Sequence, residues 1–76
     1  MNSKRRKELE KISDGILELK ERLETVKDEE EEAFDNTPEA LQETDRYAES
    51  EEALEYMEYA VDNLDEALDN LSNIVA

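Results

Sequence analysis

The chain has 76 residues, of which 24 are acids and nine are cations, giving a net charge of −15. That length allows one domain at most, and that charge disfavours nucleic acid and anionic membranes as partners and favours basic protein surfaces. The absence of Cys and His excludes disulfides, thiolate chemistry and the commonest general base and metal ligand.

One Gly, one Pro and 5% aromatic residues argue for long helices and against a sheet. No apolar run reaches the length of a membrane span, and Met1–Lys7 is not followed by an apolar signal segment, so a cytoplasmic location is expected. The fold expected is all-α: an antiparallel hairpin of two long helices over residues 3–34 and 46–75. A connector with a short helical turn at 35–45 joins them, in a single domain spanning 1–76.

Lys4, Arg5, Arg6 and Lys7 open the first helix. The cluster reads either as an import or nucleic-acid tag or as an electrostatic feature. Cations at a helix N-terminus oppose the macrodipole and favour fraying, but in an antiparallel hairpin Asp65, Asp69 and the terminal carboxylate are expected to lie alongside and balance them. Leu9, Ile12, Ile16, Leu19, Leu23 and Val26 then recur at spacings of three and four, which places them in the a and d columns of a heptad pattern. Ala33 continues the row and Glu30 interrupts it. Gly15 falls in column g, where a close approach of the second helix would explain a residue that costs about 1 kcal/mol relative to Ala. Leu17, at b, is either exposed or packed on a second subunit. Lys20 and Lys27 at e, and Arg22 at g, can face acids of the second helix.

Asp28–Glu32 is a run of five acids near the end of that helix, a solvated surface by this reading. A calcium site is disfavoured because the glycine and alternating ligand spacing of an EF-hand loop are missing. A carboxylate-bridged di-metal bundle would want Glu-x-x-His pairs. Asp35-Asn36-Thr37-Pro38-Glu39 punctuates the chain: Thr37 is expected to cap, with Pro38 in the first helical position and Glu39 complementing the dipole. Thr44-Asp45 offers the next cap. Phe34, Leu41 and Tyr47 are expected to cluster at this end, and Arg46 to pair with Glu43, Glu49 or the acidic run.

The second helix carries three near-identical heptads, ALEYMEY, AVDNLDE and ALDNLSN. Leu54, Val61 and Leu68 occupy a, and Met57, Leu64 and Leu71 occupy d. These six form the seam expected for self-association. Ala53, Ala60, Ala67 and Ile74 fill g, so the apolar stripe is broader than a two-stranded coil needs and suits a multi-helix bundle. Below about 80 residues one core supplies only about 3–5 kcal/mol, so pairing into a four-helix homodimer is expected. Glu51, Glu55, Glu58, Asp62, Asp65 and Asp69 form an unbroken b/e row, about 5 Å per step. Nothing on the same helix offsets it, because residues 47–76 contain no Lys or Arg. Tyr56 and Tyr59, at c and f, read equally as contact aromatics or as ordinary half-exposed residues.

EEEEAFDNTPEALQETDRY followed by EEALEYMEYAVDNLDEALDNL resembles small acidic helical proteins encoded by phages and mobile elements of Firmicutes. The most specific part is AFDNTPEALQ. That group has no established activity, so the resemblance implies a genomic setting and no functional residues. Small acidic phage proteins often obstruct host factors, including nucleases of defence systems. No nucleophile–base pair, phosphate loop or paired acids in a cleft is evident, and no cofactor is expected. Two functions follow. One is a non-enzymatic, anti-CRISPR-like inhibitor whose acidic row mimics nucleic acid on a basic surface. The other is a self-assembling structural or adaptor bundle whose acids only confer solubility.

Overall fold

A computed structural model describes residues 1–75. Helix α1 spans Ser3–Asp35, a single 3-10 turn spans Glu39–Leu41, and helix α2 spans Asp45–Val75. The helices pack antiparallel into a rod of 60 × 15 × 14 Å. The all-α hairpin expected from the heptad spacing is therefore what the chain forms, with no strand among the described residues.

The N-terminus of α1 carries a side-chain cap. Asn2 is its cap: the Arg5 N–H donates to Asn2 Oδ1 at 2.8 Å. That satisfies one of the free donors of the first turn. Lys4–Lys7 make no ion pair with Asp65 or Asp69, and the terminal carboxylate of Ala76 lies outside the described residues.

α1 ends where Pro38 removes a donor and restricts Thr37 to extended backbone. Asn36 is its C-cap, its N–H donating to the Glu32 carbonyl at 3.1 Å, and the Thr37 N–H donates to the Phe34 carbonyl at 3.1 Å. The expected role of Thr37 is corrected. Its hydroxyl donates back to the Ala33 carbonyl at 3.2 Å, so it closes α1 instead of capping the turn that follows. Pro38 occupies the cap position of the 3-10 turn, with no side-chain cap. Thr44 does cap α2, accepting from the Tyr47 N–H at 3.3 Å while its hydroxyl donates to Leu41 O at 2.8 Å.

No described residue is fully buried. On α2 the half-buried residues are those of columns a and d, from Tyr47 to Val75, with Ala60 and Ala67 of column g. On α1 they are Leu9, Ser13, Ile16, Lys20, Leu23, Lys27, Glu30 and Phe34 of the a and e columns, with Gly15 of column g and Glu24 of column b. This corrects the expected seam of α1. Its d column faces outward: Ile12 is 44% exposed, Leu19 56% and Val26 50%. The reason is geometric. Two helices about 8–10 Å apart bury only the strips that face each other, and the a/d/g stripe is wider than one strip. Turning α1 toward its e column instead brings the stems of Lys20 and Lys27 over the seam, where they cover apolar surface and keep their ammonium groups near solvent. Gly15 is also corrected. A Cβ built there meets nothing within 4 Å, so no close approach of α2 requires a glycine.

Candidate functional site: a carboxylate flank

The columns of a heptad follow the order a, e, b, f, c, g, d around the helix. In an antiparallel pair, therefore, the two e columns lie on one flank of the seam and the g columns on the other. The side of the e columns is identified by Lys20 at e of α1, whose Nζ bridges to Asp65 Oδ1 at e of α2 and lies 3.5 Å from Glu24 Oε1. Next to it, Lys27 shares a shallow groove of about 400 Å³ with Glu31, Glu51, Leu54, Glu55 and Glu58.

Glu51, Glu55, Glu58, Asp62, Asp65 and Asp69 are all exposed and lie along this flank as one row about 27 Å long. Asp65 is set apart from the other five by its bridge to Lys20. That lysine is raised above its ordinary pKa, first by the hydrogen bond to Asp65 and then by the nearby Asp65 and Glu24 charges, against an opposing effect of desolvation. Glu55 is the second row member with a side-chain partner: it accepts a 2.7 Å hydrogen bond from the Tyr59 hydroxyl, which pushes the Tyr59 phenol above its usual range. Tyr59 and Tyr56 meet edge to face at 6.1 Å, so the two aromatics are one unit on the outer surface of α2.

A second row faces the same flank and escaped the reading of the sequence. Glu10, Asp14, Glu21, Glu24, Asp28 and Glu31 fill the b and f columns of α1 at the same spacings, with Leu17 in the one gap. Five of them are exposed and Glu24 is half-buried. The 3–4 spacing was a usable signal. The conspicuous run Asp28–Glu32 concealed it, because only Asp28 and Glu31 of that run belong to the row. The flank thus bears twelve carboxylates in two antiparallel rows, with Lys20 and Lys27 between them.

The six seam residues of α2 (Leu54, Met57, Val61, Leu64, Leu68 and Leu71) are half-buried against α1; within one chain they are already used in the hairpin. At the connector end the Phe34 and Tyr47 rings stack at 4.3 Å and 14°. They line a notch of about 340 Å³ with Leu41, Glu30, Arg46 and Ser50. Arg46 makes none of the ion pairs expected of it. Among the described residues no three potential ligands converge on a metal position, and no helix is long and apolar enough to cross a membrane. No family model matches the chain, and neither curated proteins nor solved structures match it.

Proposed function

We propose that this chain is a non-enzymatic inhibitor that covers a nucleic-acid-binding surface of a basic protein by presenting the carboxylate flank in place of a phosphate backbone. The supporting observation is linear charge density. The α2 row alone carries a charge every 5 Å or so, sparser than one nucleic-acid strand at about 3.4 Å. Two rows of six, offset by Lys20 and Lys27, leave about ten net charges over roughly 32 Å of helix, or one per roughly 3 Å. The second row therefore brings the flank to the density of a strand, and two helices hold it straight. A host defence nuclease, in the manner of an anti-CRISPR target, is the kind of partner this surface fits, and a phage or mobile-element setting accords with that role.

The test uses the protein as bait in extracts of its native host, at low and high salt, followed by competition with duplex DNA or RNA. The expected result is capture of a nucleic-acid-binding protein that nucleic acid displaces, with affinity falling steeply as salt rises. Neutralising Glu58→Gln, Asp62→Asn and Asp69→Asn together avoids both Asp65 and Glu55 and is expected to weaken capture at least tenfold. A captured partner that nucleic acid does not displace, or an interaction indifferent to both salt and the triple substitution, would overturn the proposal.

A further inference from the structure

The opposite flank of the rod has a different character. From Ser50 onward, all eight acids of α2 fall in columns b, e and f, and columns c, d and g carry no charge at all. The exposed part of that charge-free surface consists of Ala53, Tyr56 at 64% exposure, Asn63, Asn70 and Ile74. Beside it on α1 runs the outward d column of Ile12, Leu19 and Val26. Column order places α1 d and α2 g on the same side of the seam, away from the Lys20–Asp65 bridge. The hairpin is thus divided lengthwise: two carboxylate rows lie on one flank, and on the other the uncharged surface of α2 adjoins the apolar d column of α1, with the exposed Glu8, Arg22 and Glu29 of α1 column g beyond it.

We propose that a second copy of this chain covers the strip, flank to flank about a two-fold axis, closing a four-helix bundle. Three observations select that occupant. First, the chain exposes 6126 Å², whereas a folded monomer of its 8.8 kDa mass is expected to expose about 4,800 Å². The excess of roughly 1,300 Å² exceeds the ~800 Å² per partner of an ordinary stable interface. Second, not one described residue is fully buried, so the hairpin has no enclosed core of its own and gains one when its open side is closed. Third, two chains of charge −15 can meet closely only where neither presents a row of acids, and from Ser50 onward α2 offers that surface on this flank alone. The carboxylate flanks then point outward on opposite sides of the bundle. This inference does not depend on what those flanks bind.

The experiment compares the wild type with Leu19→Glu on the proposed interface and Leu17→Glu on the acidic flank. The latter is a matched control, because Leu17 is equally an exposed apolar residue of α1, at 44%. Sedimentation equilibrium is expected to give a dimer for the wild type and for Leu17→Glu. Leu19→Glu enters the interface twice by symmetry and is expected to raise the dissociation constant about 100-fold or more. If Leu19→Glu loses helix at low concentration, recovery of circular dichroism on concentrating the sample reads the same weakened association. A wild type that stays a helical monomer at high micromolar concentration would overturn the proposal. A dimer that Leu17→Glu breaks and Leu19→Glu leaves intact would do the same.

Discussion

At the scale of single residues, two side chains report the electrostatics of the acidic flank. Lys20 has a folded-state pKa above its ordinary value, chiefly through Asp65, and Tyr59 is raised chiefly by its hydrogen bond to Glu55. Both groups favour the protonated form in the folded chain. Their stabilising contribution is therefore complete below the unfolded pKa values of about 10, and is lost as pH rises through the folded ones. Helix content at elevated temperature is expected to hold from neutral pH to about 10 and to fall above it. Titrating tyrosine absorbance separates the cause. Glu55→Ala should move the Tyr59 ionisation down toward the ordinary value, and a midpoint that stays in place would show that Glu55 is not the source of the shift. Gly15 offers a third residue-scale test. With open space around its Cβ position, Gly15→Ala should stabilise α1 by about 1 kcal/mol in thermal melts. A loss of stability would mean that some neighbour needs the glycine.

At the scale of elements, the hairpin is anchored at its connector end by the Phe34–Tyr47 stack, and a double-mutant cycle on that pair should yield a coupling of about 0.5–1.5 kcal/mol. Glu30 is the weak point next to it. It occupies an a position facing α2 and lines the same notch as Phe34 and Tyr47. Glu30→Leu should continue the apolar column and raise stability by about 1 kcal/mol in denaturant unfolding; an unchanged midpoint would show that the notch stays wet. Much of this element-level structure was legible in the sequence. The 3–4 spacing of Leu54 through Leu71, the Pro38 break and the Thr44 cap each act locally, and each appears where local chemistry puts it. The rotation of α1 was not legible. Its a, d and e columns all contain residues able to face a partner helix, and the orientation adopted is marked by Lys20 meeting Asp65, two residues far apart in sequence that only the packed hairpin brings together. The cap of α1 by Asn2 and the backward bond of Thr37 were missed for a smaller reason: short polar side chains near a helix end can satisfy either of two backbone groups, and composition does not say which.

At the scale of the whole molecule, the division into a flank with two carboxylate rows and a flank with none is the organising fact, and the candidate site divides along it. The α2 row was legible from spacing alone. The α1 row that doubles its charge density became visible only when the packed columns placed both rows on one side. The same division sets the sign of the salt response. Two chains of charge −15 repel at a distance, and screening removes that repulsion without weakening apolar contact. Binding of a basic partner to the carboxylate flank must respond in the opposite sense, because there the attraction is what salt screens. The most direct single measurement is therefore the dimer dissociation constant of the isolated protein by sedimentation equilibrium at low and high sodium chloride. The account predicts a species of twice the 8.8 kDa chain mass that tightens as salt rises. A mass that stays at one chain, or a dimer that falls apart as salt rises, would contradict it.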